Sequence, residues 1–439
     1  MKVFFRRIHL YLSLVSGLVL MITCFTGAVL VFEKEMQEMF NHDRYYVTPV
    51  GTAMPLDKVV ASLKEQVPGA KVSRIQVFAD PSRSLLVTME EGKKGGKGAS
   101  GEAKGKDNAP ATEAKKDNKA IQGETVDKDK AKAGGAQAAA PEKGGEKGGA
   151  GKKESRGGGK QAYVNPYTGK IIEFYSYQKT WYFTMFSLHR WLLGGDIGKM
   201  VVGVCTLIFL FIILTGIILW WPKTRNILMQ RLKLKWDGGW KRLNHDLHIV
   251  LGFYAAIFLF IFSFTGLAWS FEWFNKGIYT VTNSPMQAPK PPESVVEAGK
   301  QAITYDAALQ QVQSKAPGAV YYALMAPKDT AAAFMVTLLP ADAGHEAATT
   351  SYYLDQYSGA VLRSQTFGER NLGQRVRSSF KPIHTGSVFG MPSKIIAFIT
   401  CLLGVTFPVT GVIMWLNRIR KKKKGGSVNT KHTAEAAAA

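Results

Sequence analysis

No two of the three cysteines in this 439-residue chain form a C-x-x-C pair, and no C-x-x-C-H is present. The first absence excludes a thioredoxin-type dithiol and the second a covalently attached c-type haem. No glycine-rich loop stands between a strand pattern and a helix pattern, and no flavin signature appears, so the chain is not expected to oxidise a nicotinamide by itself. Cys24, Cys205 and Cys401 all fall inside apolar runs, where a thiol behaves as a small hydrophobe. Charged residues are missing from the middle of every such run, which argues against a transporter pathway. Aromatic residues are missing from residues 92–160, which are almost entirely Gly, Lys, Ala, Glu and Asp. Such a segment cannot bury enough apolar surface to offset its chain entropy and reads as a disordered loop.

What is present is four apolar runs, Leu10–Phe32, Met200–Trp221, Ile249–Trp269 and Ile395–Leu416, each long enough for the roughly 20 residues that a membrane helix needs. The first is followed by Phe32-Glu33-Lys34-Glu35 rather than by a small-x-small site, so it reads as a retained anchor and not a cleaved signal. Basic residues flank the runs on alternate sides: Lys2, Arg6 and Arg7 before the first, seven from Lys223 to Arg242 between the second and third, and the run Arg418–Lys424 after the fourth. These ends are therefore cytoplasmic, and the long segments between lie in the periplasm or on the outer surface of a bacterium. The formal charge is +23, of which residues 91–160, with 17 basic and 11 acidic side chains, supply only +6. Topology and anionic lipid account for the rest better than nucleic acid does.

Each outer segment carries the same order of patterns. Around the loop, PLDKVVASLKEQVPG reads as an amphipathic helix, KVSRIQVFAD and SRSLLVTMEE as strands and QAYVNPYTGKIIEF as a hairpin. The second segment gives TYDAALQQVQSKAPG for the helix, AVYYALMAP and AAFMVTLLP for strands and TSYYLDQYSGAVL for the hairpin. The apolar runs agree. His9 precedes Thr26-Gly27 by 17 positions, as His248 precedes Thr265-Gly266, and His189 precedes Thr215-Gly216 by 26 positions, as His384 precedes Thr410-Gly411. The chain reads as an internal duplication.

One histidine at a membrane boundary is unremarkable, but the duplication gives two pairs at equal depth, His9 with His248 at the inner mouth and His189 with His384 at the outer. Two facing imidazoles in a helical bundle suit the axial positions of haem iron, whereas zinc takes four ligands, or three and a water. The expected cofactors are therefore two non-covalent b-type haems. Arg190 beside His189, and Arg7 and Arg242 near the inner pair together with Arg6 and Lys241, would meet the anionic propionates. Gly17 and Gly252 would let a flat ring approach the backbone. His245, three residues before His248, is an alternative inner ligand. His42, His345 and His432 have no twins and are expected to be solvent-exposed.

The stretches RRIHLYLSLVSGLVLMITCFTGAVLVFEKE and LNHDLHIVLGFYAAIFLFIFSFTGLAWSFE, the N-P-Y-T-G hairpin and the span end LTGIILWWPK resemble the PepSY-associated transmembrane family, which includes iron-regulated inner-membrane proteins and a di-haem ferric-siderophore reductase. The resemblance implies a membrane α-helical fold in which a TM–PepSY–TM unit occurs twice, with two periplasmic α+β PepSY domains and two b-type haems. The boundaries expected are spans at 1–32, 187–222, 245–271 and 384–417, PepSY domains at 33–186 and 272–383, a cytoplasmic loop at 223–244 and a basic cytoplasmic tail at 418–439. The function implied is transmembrane electron transfer in the bacterial inner membrane, from a quinol or a cytoplasmic reductase to a periplasmic ferric chelate or siderophore, in iron acquisition. The alternative is a non-enzymatic PepSY membrane protein that binds envelope peptides or proteases.

Overall fold

Among the described residues four helices are long and apolar enough to cross a membrane: Lys2–Val31, Gly195–Trp220, Gly239–Ser270 and Met391–Arg420. The computed structural model describes residues 1–91, 160–296 and 299–437. Its helices begin with α1 (Lys2–Val31), α2 (Glu33–Phe40), α3 (His42–Tyr45), α4 (Leu56–Gln66), α5 (Trp181–Trp191) and α6 (Gly195–Trp220). There follow α7 (Arg225–Arg231), α8 (Gly239–Asp246), α9 (Gly252–Ser270), α10 (Glu272–Val281), α11 (Tyr305–Lys315), α12 (Leu372–His384) and α13 (Met391–Ala437). The strands are β1 (Ala70–Phe78), β2 (Leu85–Glu91), β3 (Lys160–Val164), β4 (Ile171–Tyr175), β5 (Tyr321–Met325), β6 (Phe334–Leu339), β7 (Thr350–Leu354) and β8 (Val361–Gln365).

The spans form a ring. Helix α1 packs against α6 and α13, and α9 packs against the same two, so α1 and α9 lie on one diagonal and α6 and α13 on the other. Small residues let the helices approach closely: a Cβ on Gly17 would stand 3.3 Å from Pro408, and one on Gly404 only 2.7 Å from Cys24 Sγ. Gly17 is thus a packing glycine of the α1–α13 seam, and Gly252 faces Phe407, 3.8 Å from where its Cβ would be. Pro408 covers Gly17, which the sequence offered to a flat ring. Residues such as Val15, Leu18, Phe211 and Ile257 point out of the ring and are exposed, as lipid-facing side chains are.

The spans begin and end differently from the apolar pattern. Where one helix is expected over 187–222, α5 stops at Trp191, the chain turns through Leu192 (φ 49°), Leu193 (φ 58°) and Gly195 (φ 56°), and α6 sets out anew. The turn folds back so tightly that a Cβ on Gly198 would fall 1.7 Å from the Trp191 carbonyl oxygen, and only glycine fits. At the matching entry to the fourth span, α12 ends at His384 and α13 starts at Met391, with Gly386 (φ 72°) and Gly390 (φ 68°) turning the chain between. The third span starts before residue 245, at Gly239, and contains a π turn at Leu247–Leu251.

Outside the spans the eight strands of the described residues belong to one antiparallel sheet of order β4-β3-β2-β1-β5-β6-β7-β8. Each half has the same local order, an amphipathic helix followed by four strands. The halves join where β1 pairs with β5, Ile75 opposite Leu324 and Gln76 opposite Ala323, which removes an exposed edge from each. Segments 33–186 and 272–383, expected as two domains, therefore share one sheet. They also share one core, with α4 and α11 laying Val59, Leu63 and Val312 on Ile75, Val87, Leu324 and Val336. Asp57 and Asp306 tie the two helices reciprocally. Asp306 accepts the N–H groups of Leu56 (2.9 Å) and Asp57 (3.0 Å), while Asp57 accepts those of Tyr305 (3.0 Å) and Asp306 (3.2 Å). Each carboxylate caps the other half's helix. Lys160, expected in the disordered loop, is the first residue of β3 and pairs with Met89; the rest of that loop lies outside the described residues.

Candidate functional site

The four twinned histidines meet in two pairs across the diagonals of the helix ring. His9 on α1 faces His248 in the π turn of the third span, ring centroids 6.5 Å apart and planes at 82°. His189 on α5 faces His384 at the end of α12, centroids 6.0 Å apart and planes at 66°. Along α1, the 17 residues between the His9 level and the Thr26 level, where His189 packs, rise about 26 Å, so the pairs sit near opposite faces of the bilayer.

Each imidazole is held by a Thr-Gly pair from another helix, and the pairing is crossed. His9 Nδ1 is 3.0 Å from Thr215 Oγ1 on α6, while His189, just before α6, reaches back to Thr26 Oγ1 on α1 at 3.3 Å. His248 Nδ1 meets Thr410 Oγ1 on α13 at 2.8 Å, and His384 meets Thr265 Oγ1 on α9 at 3.0 Å. The threonine hydroxyls donate to carbonyls one turn back, Thr26 to Ile22 (2.7 Å), Thr215 to Phe211 (2.8 Å), Thr265 to Ile261 (2.8 Å) and Thr410 to Thr406 (3.0 Å). With its proton so used, each Oγ1 can only accept, and the histidine Nδ1–H must donate. His189 and His384 also donate to the carbonyls of Thr23 and Phe262, both at 2.9 Å. The tautomer follows: Nδ1 carries the hydrogen and Nε2 keeps its lone pair, the form of imidazole that ligates a metal.

The glycine beside each threonine makes room for the ring. A Cβ at Gly27, Gly216, Gly266 or Gly411 would lie 3.2, 3.3, 3.3 or 3.3 Å from the Cε1 atom of His189, His9, His384 or His248 respectively. Thr holds the imidazole and Gly admits it.

A family model described as the PepSY-associated TM region matches residues 6–418. The chain belongs to the PepSY-associated transmembrane family. No curated protein matches it. The family's match spans both the helix ring and the shared sheet, so these elements form one recognised unit of a multi-pass membrane protein.

In this PepSY-associated protein the His189–His384 pair, on the side of the sheet, opens into a cavity of about 1250 Å³ that includes His189, His384, Arg190, Trp269 and Lys381 and reaches Lys160, Gln161 and Tyr175 of the first half of the sheet. That exceeds the roughly 300–1,000 Å³ common for small-molecule pockets. Tyr175 donates its hydroxyl to Gln37 Oε1 at 3.0 Å, and burial pushes its phenol up to about 12, so it is neutral at neutral pH. Among the described residues no group of three or more His, Cys, Asp or Glu side chains could hold a bare metal ion.

The remaining sequence candidates are placed as follows. His245 does not face His9; it is exposed and bonds Asp246 Oδ1 at 3.1 Å. Arg242 Nε donates to Asp246 Oδ2 at 2.8 Å, and Arg6 and Arg7 are exposed. Arg190, at the outer cavity, donates to the Trp269 carbonyl at 3.0 Å. His42 is exposed and stacks on Tyr46. His345 is half-buried, not exposed, with Nε2 3.2 Å from Ser379 Oγ, and the side chain of His432 lies outside the described residues. Sequence reading missed two participants. Trp269 packs its ring 5.4 Å from that of His384, and Arg377 lies over the Trp269 ring, its Cζ 4.9 Å from the centroid. Neither has a like residue at the matching position of the first half, so the repeat spacing could not reveal them.

Proposed function

We propose that this protein is a di-haem b oxidoreductase of the bacterial inner membrane that passes electrons to a periplasmic acceptor, ferric iron or a ferric siderophore. The observation that carries the reading is the separation of the facing imidazoles. Two metal–nitrogen bonds of about 2.0 Å each, with about 1.1 Å from each nitrogen to its ring centre, put the centroids of two imidazoles on one metal about 6.2 Å apart. The pairs stand at 6.5 and 6.0 Å. Ligation by two imidazoles without a third protein ligand is the pattern for a macrocycle that fills the other positions, and the Nδ1–H bonds to threonine leave Nε2 available in all four rings.

A haem on each pair would supply one-electron transfer. The chain does the rest. Crossed Thr-Gly contacts fix the orientation and tautomer of each ligand, the helix ring keeps the inner and outer positions about 26 Å apart, and the outer cavity admits an acceptor from the sheet side while lipid-facing side chains seal the flanks. Arg190 and Lys381 at that cavity suit haem propionates or an anionic chelate. Electron delivery to ferric iron weakens its attachment to hard oxygen ligands and so releases it. The basic residues at the ends of the spans favour cytoplasmic termini and a periplasmic sheet. The crossed geometry, the matched spacings and the two equal halves of the sheet support descent from a duplicated TM–PepSY–TM unit.

The test is haem content. Full-length protein purified from haem-supplied cells is expected to give two equivalents per chain by pyridine haemochrome and low-spin spectra. Protein that is folded yet free of haem would refute the reading.

A further inference from the structure

The two ends of the bundle treat their cationic side chains differently. At the inner end Arg242 is matched by Asp246 at 2.8 Å, and Arg6 and Arg7 are exposed, so their fields are screened by water and salt. At the outer end Arg377 is half-buried, with the like-charged Arg190 near it, and its direct contacts are neutral: Nε donates to Asn275 Oδ1 at 2.7 Å, and the guanidinium lies over the Trp269 ring at 4.9 Å. Among the described residues no carboxylate pairs with Arg377. Glu33 and Glu90 line the outer cavity from α2 and β2 and do not reach it. Trp269 contacts both Arg377 and His384, its ring centroid 5.4 Å from that of His384. When His9 is aligned with His248 and His189 with His384, the first half carries Leu30 and Tyr182 at the positions of Trp269 and Arg377. The stack is therefore a feature of the outer site and of one ligand only.

We propose that Arg377, held over Trp269 by Asn275, is a fixed positive charge that raises the electron affinity of the outer centre above that of the inner one and so directs electrons outward. This rests on the di-haem reading. These contacts place the guanidinium no more than about 13 Å from a metal on His384, where a unit charge at an effective dielectric of 20 shifts a one-electron equilibrium by about tenfold, or 59 mV. Arg377 is a positioning and tuning residue, since it touches Trp269 and not the ligand. Its side chain stays charged in either state of the centre, so the effect is a constant offset.

The experiment is a spectroelectrochemical titration of full-length protein, with the outer couple identified as the one lost in His384→Ala. Arg377→Gln is expected to lower the outer couple about tenfold in equilibrium constant while leaving the inner couple in place, and Arg377→Lys to restore it. Asn275→Asp keeps the arginine but neutralises it, and is expected to lower the outer couple in the same sense; it also serves if Arg377→Gln does not accumulate. An outer couple unmoved in Arg377→Gln or Asn275→Asp, or inner and outer couples moving equally, overturns the inference while two bound haems leave the parent reading standing. Wild-type protein without haem overturns both.

Discussion

Thr410 is the most exposed point of the crossed geometry to a clean perturbation, because valine keeps its shape and removes only the hydroxyl. In the structure His248 Nδ1–H donates to Thr410 Oγ1 at 2.8 Å, the shortest of the four imidazole–threonine contacts. His189 and His384 have a second acceptor, the carbonyls of Thr23 and Phe262 at 2.9 Å, whereas for His248 the close acceptor is the Thr410 hydroxyl. Thr410→Val thus leaves a buried N–H poorly partnered, at a cost of about 1–3 kcal/mol. Loss of such a supporting bond lowers metal affinity by about 10–100-fold. Thr26→Val, where a 2.9 Å carbonyl bond survives, is expected to lie at the low end of that range. The assay is haem per chain and haem dissociation measured at the inner and outer centres separately. Thr410→Val should deplete the inner centre with His248→Ala-like spectra, although Thr410 shares its helix with the segment that follows the outer ligand His384, and Thr410→Ser, which keeps an oxygen acceptor, should return to near wild type. Depletion of the outer centre by Thr410→Val, or no difference between Val and Ser, would refute the assignment of the hydroxyl to His248.

Other consequences follow from particular contacts. His189→Ala and His384→Ala should each remove one haem equivalent, the same one, while His245→Ala should remove none, since His245 is exposed and turned to Asp246; haem stoichiometry decides. The reciprocal Asp57–Asp306 cap gives the sheet a two-sided pH dependence. Burial, with the hydrogen bond to Asp57, raises the Asp306 carboxyl, so its contribution is present below the ordinary aspartate range and lost as pH rises through its folded value. For Asp57, burial is outweighed by hydrogen bonds from Asp306, Tyr305 and Thr304 that hold it low, so its contribution is present above the ordinary range and lost as pH falls through its folded value. Thermal melts should therefore decline on both sides of about pH 4, and Asp306→Asn should abolish the decline on the high side; an unchanged profile would count against the shared pair. Because Met89 pairs with Lys160 across β2 and β3, replacing residues 93–152 with a short glycine-containing turn should leave membrane accumulation and haem content intact, as size exclusion and absorbance would show.

The sequence alone determined the four spans, the helix-and-strand order of each outer segment and the pairing of histidines by depth. Each of these follows from local period or from internal spacing: apolar length for the spans, alternation for the strands, and equal offsets for the twins. It could also name Thr-Gly as the companion of each histidine, but along the same helix, since spacing is all that a sequence offers. Only the tertiary structure decided that the companions cross. Two antiparallel neighbours place the start of one helix beside the end of the other, so the threonine 17 residues from His9 serves His189, and the one on α6 serves His9. The structure also separates His248 from His245, setting the first opposite His9 and the second, exposed, beside Asp246. The fusion of the halves through β1 and β5 depends on edge hydrogen bonds that no side-chain pattern encodes. Trp269 and Arg377 were invisible to a reading built on repetition, because they break it: their contacts arise where α9 and α12 converge on one histidine, and only the packing of distant segments brings them there.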